Sequence, residues 1–209
     1  MIEKFTIARV IPIVVINDPD DAIPLADALL AGGINVLEIT LRTPQAIEAI
    51  RRIRSERPEM TVAAGTVLNI KEAIECLNVG VEIVISPGFD LELSKWCTEH
   101  DLQLIPGVAT ASEIMSASKA GHKLLKFFPA KAAGGIPALA AMYAPFAKLE
   151  LLFMPTGGLS LADVQDVLSH SFIAAMGGTW IAPSKDISSR DWNEITARAL
   201  EVVQLIATH

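Results

Sequence analysis

A lysine set among large apolar residues is the first chemical signal in the chain. It occurs in Leu124-Leu125-Lys126-Phe127-Phe128-Pro129. Lysine is almost never fully buried without a partner or a task. Apolar surroundings disfavour the ammonium form, so the neutral amine becomes available to attack a carbonyl carbon. The alternative is a lysine snorkelling to water from an edge strand. Lys123, at the start of the same run, reads as a solvated surface charge. Two more ionic residues interrupt Asn35-Val36-Leu37-Glu38-Ile39-Thr40-Leu41-Arg42. Strand alternation puts Val36, Glu38, Thr40 and Arg42 on one face and Leu37, Ile39 and Leu41 on the other. Glu38 is then either acid–base machinery or half of a structural pair with Arg42, and position alone leaves both open.

Two glycine pairs follow apolar runs near the end of the chain: Met154-Pro155-Thr156-Gly157-Gly158 and Met176-Gly177-Gly178-Thr179-Trp180. Without side chains in the way, backbone N–H groups at such turns can approach an anion closely. Either pair alone could be a plain turn; together they favour a phosphate. Ala63-Ala64-Gly65-Thr66 and Ser86-Pro87-Gly88 add small residues, which are weak signals on their own. His100, His122, His170 and His209 have no metal-ligand spacing, and there is no G-x-S-x-G elbow. The expectation is amine chemistry with no metal.

These residues need elements to position them. Apolar, β-branched runs predict strands near Val10–Ile16, Asn35–Leu41, Met60–Thr66, Glu82–Ser86, Leu102–Val108, Lys123–Phe128, Leu151–Thr156 and Phe172–Gly178. The stretches between them are helical in period, as with Ala46, Ile47, Ala49, Ile50 and Ile53. Helix starts are expected at Asp18-Pro19, Thr43-Pro44, Asn69, Asp90, Thr110 and Ser160, and glycine stops at Gly32–Gly33, Gly80 and Gly121. Asp191–Ala207 reads as a closing helix, and Pro183–Arg190 as the longest polar loop. Strands alternating with helices imply a parallel α/β sheet. Eight units in this length fit a single (β/α)8 TIM barrel over residues 1–209, with no linker. An open doubly wound sheet is the rival, but the G-x-G-x-x-G turn after the first strand is missing. In a barrel, Glu38 and Lys126 point inward and Arg42 stands at the rim.

Composition narrows the setting. The chain has 209 residues, 51% hydrophobic and 20% charged, which excludes a disordered protein. A net charge of −7 argues against a nucleic-acid partner. No apolar run has the length of a membrane span, and Met1–Ile7 lacks the features of a secretory signal, so a cytoplasmic location without membrane attachment is expected. Cys76 and Cys97 read as reduced thiols.

The ordered motifs resemble one family. They are Leu37-Glu38-Ile39-Thr40-Leu41-Arg42-Thr43, Ala64-Gly65-Thr66-Val67-Leu68, Ser86-Pro87-Gly88, Ile105-Pro106-Gly107-Val108, Lys126-Phe127-Phe128-Pro129-Ala130, Pro155-Thr156-Gly157-Gly158 and Gly177-Gly178-Thr179-Trp180. Together they are similar to the class I aldolases acting on 2-keto-3-deoxy-6-phosphogluconate (KDPG) and 4-hydroxy-2-oxoglutarate (KHG). The resemblance implies Lys126 as Schiff-base lysine and Glu38 as general acid/base. It implies Arg42 and Thr66 on the pyruvyl carboxylate, with Pro87 and Phe128 lining the pocket. Thr156, Gly157, Gly158, Gly178 and Thr179 would form the substrate-tail and phosphate end. It further implies a phosphorylated keto-acid substrate, no cofactor, and a homotrimer. Three departures from the family pattern stand out: Thr179 in place of serine, Lys131 in place of glutamate, and a short segment before the first strand that suggests a truncated N-terminal helix.

Overall fold

The computed structural model describes residues 2–207. A short helix, α1 (Ile2–Ala8), leads into β1 (Val10–Val14), and then strands and helices alternate: α2 (Ala22–Ala31), β2 (Val36–Thr40), α3 (Ala46–Glu56), β3 (Thr61–Gly65) and α4 (Ile70–Asn78). Next come β4 (Ile83–Ile85), α5 (Leu91–Glu99), β5 (Gln103–Ile105), β6 (Gly107–Val108), α6 (Ala111–Lys119), β7 (Leu124–Phe127) and α7 (Gly135–Tyr143). The chain ends with β8 (Leu152–Pro155), α8 (Val164–Leu168), β9 (Met176–Gly178), α9 (Ser184–Ser188) and α10 (Trp192–Ala207).

All strand pairings are parallel, and they run β5-β4-β3-β2-β1-β9 and β6-β7-β8. Two seams close these into a barrel. At one, Pro106 splits the fifth predicted strand into β5 and β6, because proline has no N–H to give to the ladder. Its carbonyl still accepts from the Lys126 N–H at 2.9 Å, so the wall is continuous. At the other, single bridges Phe153–Ile173 and Thr156–Gly177 join β8 to β9. The fold is an α/β barrel of eight strand positions, the fifth one bent.

Alternation sorts the core into two layers. Val36 and Leu124 point inward, with Ile11, Ile83, Ile105 and Met154, into the barrel. Leu37, Ile39, Leu125 and Phe127 point outward into the layer under the helices, which also holds Ala49, Ile50 and Ile53 of α3. The amino end is plugged by Phe5 of α1, which is fully buried within the inner cluster. The short leading segment thus forms a seven-residue helix whose Phe5 covers the barrel floor.

Helix boundaries follow local chemistry. Asn69, Asp90 and Thr110 cap α4, α5 and α6 by accepting backbone N–H bonds, and Thr110 with Glu113 forms a full capping box. Thr43-Pro44 does not start a helix. The residue before proline avoids helical dihedrals, and the Thr43 hydroxyl instead donates to the Ile16 carbonyl at 2.6 Å, so α3 begins at Ala46. The polar stretch 183–190, expected as a loop, contains the short helix α9. Among the described residues, no helix is long and apolar enough to cross a membrane.

Candidate active site

The carboxyl ends of the strands open into one cavity. Its walls carry residues from seven strand ends, the usual place for function in such barrels. Glu38 and Lys126 lie at its base. β2 and β7 each turn one ionic side chain inward, and the two meet across the barrel: Lys126 Nζ is 2.9 Å from Glu38 Oε1 and 3.3 Å from Oε2. Glu38 is wholly buried and the Lys126 side chain is 7% exposed. The partner of Glu38 is therefore Lys126; Arg42 stands apart at the rim, and among the described residues it makes no ion pair or side-chain hydrogen bond within the chain. An edge-strand lysine is ruled out by the closed wall.

The neighbours of the pair leave room only for it. A Cβ on Gly65 would fall 2.1 Å from Glu38 Oε1, so β3 must be bare where the carboxylate lies. Phe128 covers the amine from the other side, its ring centroid 5.5 Å from Lys126 Nζ. Thr40 is buried and ties its hydroxyl to the Val14 carbonyl at 3.1 Å, locking β2 against β1 beside Glu38. The ammonium has one carboxylate within hydrogen-bond reach, and that is the group able to take its proton before the amine acts as a nucleophile.

The rest of the rim is built from turns. Thr66 is held at φ 60°, a left-handed conformation that costs a β-branched residue on the order of 1–3 kcal/mol. Such strain is found mostly where a group must be aimed, and Thr66 borders the cavity. The Pro87 turn lies directly on β6: a Cβ on Gly107 would come within 2.1 Å of the Pro87 carbonyl oxygen. Opposite, Gly157 and Gly158 take φ values of 102° and 78°, which L side chains rarely adopt. Gly177 is bare because a Cβ there would meet Thr156 Oγ1 at 2.4 Å, and the space behind Gly178 is taken by the Trp180 indole.

Glu38, Arg42, Thr66, Pro87, Lys126, Phe128, Thr156, Gly157, Gly158, Gly178 and Thr179 all line this one cavity. Ile13, Val15, Thr40, Leu159 and Gly177 also line it and were not named as site residues from sequence. Thr40 was legible in the alternation of β2. Ile13 and Val15 look like any other apolar strand residues, and nothing in the sequence distinguished them. Lys123 lies outside the cavity and donates to the Leu149 carbonyl at 3.0 Å. The four histidines lie elsewhere: His100, His122 and His170 away from the cavity, and His209 outside the described residues. Cys76 and Cys97 are buried in the helix layer, where burial pushes their thiols up to about 12 and about 11 and keeps them unreactive at neutral pH.

Comparison with known proteins places this arrangement. Residues 1–198 match the family described as "Aldolase: KDPG and KHG aldolase". The chain is 45% identical over 198 residues to a 2-dehydro-3-deoxy-phosphogluconate aldolase of Dickeya dadantii, covering 95% of this chain and 92% of that one. It is 43% identical over 199 residues to the KHG/KDPG aldolase of Escherichia coli K12, with the same coverage. Among solved structures, the KDPG aldolase of Legionella pneumophila, with pyruvate captured as a covalent carbinolamine intermediate, superposes with a TM-score of 0.92. That likeness is at 40% identity and covers 96% of this chain and 97% of the other.

Proposed function

Since the chain belongs to the KDPG and KHG aldolase family and is a class I aldolase, we propose that its 209 residues form one barrel domain with Lys126 as the imine-forming residue. The reaction is cleavage of KDPG to pyruvate and glyceraldehyde 3-phosphate, with KHG, giving pyruvate and glyoxylate, as a second substrate. The observation that carries the site assignment is the 2.9 Å contact between Lys126 Nζ and Glu38 Oε1 at the base of the cavity.

The cycle follows from that contact. Glu38 takes a proton from Lys126, and the neutral amine attacks the C2 ketone of the substrate. Protonated Glu38 gives that proton to the C2 oxygen as the carbinolamine forms, then carries a second proton from the nitrogen to the C2 hydroxyl, which leaves as water, and an iminium remains. The iminium is an electron sink next to C3. Glu38, now a carboxylate again, removes the C4 hydroxyl proton directly or through one water. The C3–C4 bond breaks, its electrons enter the iminium to give an enamine, and the aldehyde departs. Protonation at C3 and hydrolysis free pyruvate and restore the amine. The lysine supplies the electrophilic assistance, so the cycle draws on no metal or organic cofactor.

The remaining roles follow position. Arg42 and Thr66 hold the pyruvyl carboxylate, Pro87 and Phe128 shape the pocket around the ketone, and Thr156, Gly157, Gly158, Gly178 and Thr179 receive the phosphorylated tail. The same reading makes the enzyme a cytoplasmic homotrimer. Its test is borohydride reduction in excess pyruvate followed by peptide mass mapping. A stable adduct on Lys126, and none in Lys126→Met, is the expected result. The absence of an adduct on the folded wild-type protein would overturn the imine assignment.

A further inference from the structure

The charged residues that line the cavity are Glu38, Arg42 and Lys126. Lys126 is neutralised by Glu38, and Arg42 lies in the turn that follows β2, the strand that supplies Glu38. The end formed by Thr156, Gly157 and Gly158 with Gly178 and Thr179 therefore has no cation among its lining residues. A phosphoryl tail placed there would bring close to two negative charges at neutral pH, to be met only by backbone N–H groups and hydroxyls.

Just beyond that lining is Lys131. The loop after β7 runs beside the loop after β8: the Ala130 N–H donates to the Thr156 carbonyl at 2.7 Å, and the Lys131 N–H to the Gly157 carbonyl at 3.0 Å. These bonds fix the Lys131 backbone next to the glycine turn. Its stem then lies over Gly158, where an added Cβ would meet Lys131 Cβ at 2.8 Å and Cδ at 3.2 Å. The ammonium is two bonds past Cδ. Lys131 is exposed, and among the described residues its side chain makes no ion pair or hydrogen bond within the chain. It is thus an uncommitted cation packed on a turn that lines the cavity.

We propose that Lys131 is a specificity residue: its ammonium attracts the phosphoryl group of the aldehyde half and favours phosphorylated substrates over unphosphorylated ones of the same carbon skeleton. This rests on the assignment of the glycine turns as the phosphate end. The contact is through a flexible, solvated stem, so it acts as a screened point charge and not as a bidentate clamp.

The experiment compares kcat/KM for KDPG and for 2-keto-3-deoxygluconate, the same acid without its phosphate. In Lys131→Met the ratio of the two falls by about 3- to 10-fold at low ionic strength, the scale of one partly screened charge. Lys131→Glu lowers it further, Lys131→Arg restores it, and the loss falls mainly on KM. In about 1 M salt the difference between wild type and Lys131→Met closes. A ratio unchanged in Lys131→Met, or a loss shared equally by both substrates, would overturn the proposal. Pyruvate trapping on Lys126 in the same variants separates the two readings. An adduct with an unchanged ratio sinks only the role of Lys131, whereas no adduct in wild type sinks the imine assignment beneath it.

Discussion

The two halves of the barrel interior are supplied by the same strands and behave as different materials. Val36 and Glu38 are alternate residues of β2, and Leu124 and Lys126 are alternate residues of β7. One step of two residues, about 6.6 Å along a strand, separates an apolar side chain from an ionic one. Below, Phe5, Ile11, Val36, Leu124 and Met154 fill the floor without a polar atom among their side chains, the Met154 thioether aside. Above, Glu38, Lys126, Thr40 and Thr156 are buried but polar. The difference assigns the work. A dry floor keeps water away from the ion pair on one side and strengthens its electrostatics. The ion pair adds little net stability in return, because desolvating both charges offsets most of their attraction. The floor must hold the fold so that the upper half can be chemically competent.

The strongest way to break this division is to disable the upper half and look for damage below. Glu38→Gln keeps the shape of the side chain and removes its ability to accept protons. We expect kcat to fall by about 10²–10⁴-fold, equivalent to about 3–5 kcal/mol of barrier. Slow formation of a borohydride-trapped pyruvate adduct should persist, since Lys126 is intact. Steady-state kinetics with KDPG measure the first and mass spectrometry the second. An unchanged kcat would return Glu38 to the role of structural partner.

The converse change attacks the floor. Phe5 is fully buried, and Phe5→Ala leaves a cavity that the surrounding strands cannot close. The expected loss is about 3–5 kcal/mol in urea unfolding. Activity per folded molecule should be nearly unchanged well below the transition. If kcat fell along with stability, the two halves would be coupled and the division drawn above would fail.

The parts of this molecule that were legible in the sequence are those governed by period and caps. The inward set Val36, Glu38 and Thr40 and the outward set Leu37 and Ile39 follow from alternation alone, because in a closed barrel there is no third option for a strand residue. The caps at Asn69, Asp90 and Thr110 were legible because their side chains act on their own backbone. What failed depended on contacts distant in sequence. The Lys126–Glu38 contact joins residues 88 apart, and nearness along β2 suggested Arg42 instead. Thr43 was claimed by the Ile16 carbonyl, 27 residues away, and so did not cap a helix. The need for a bare Gly65 is visible only once the Glu38 carboxylate is in place beside it. The seven residues of α1 carry too little pattern to show that one of them, Phe5, would seal the barrel.

A smaller effect sharpens the comparison from outside the wall. His122 lies two residues before β7, on the amino side, so it belongs to the half that serves stability. Its Nε2 lies 2.7 Å from Ser94 Oγ of α5, and Phe89 meets the ring edge-on at a centroid distance of 6.1 Å. Glu82, Asp101 and Lys123 border the same recess. Burial holds the imidazole below its ordinary value of 6.5, so the folded protein keeps it neutral where the unfolded chain takes up a proton. The unfolded state then binds more protons as pH drops below 6.5, and stability must fall over that interval until the folded imidazole itself titrates. The slope is at most about 1.4 kcal/mol per pH unit, the value for a single proton. The exposed carboxylate Glu48, held down to about 2 by Arg51 and Arg52, weakens only as pH falls from 4.5 toward that value, a lower window. Urea unfolding of wild type and His122→Gln at several pH values between 7 and 5 should therefore give curves that diverge from about 6.5 downward, with the flatter one belonging to the variant. Parallel curves would mean that His122 is as free to take a proton in the folded protein as in the unfolded chain.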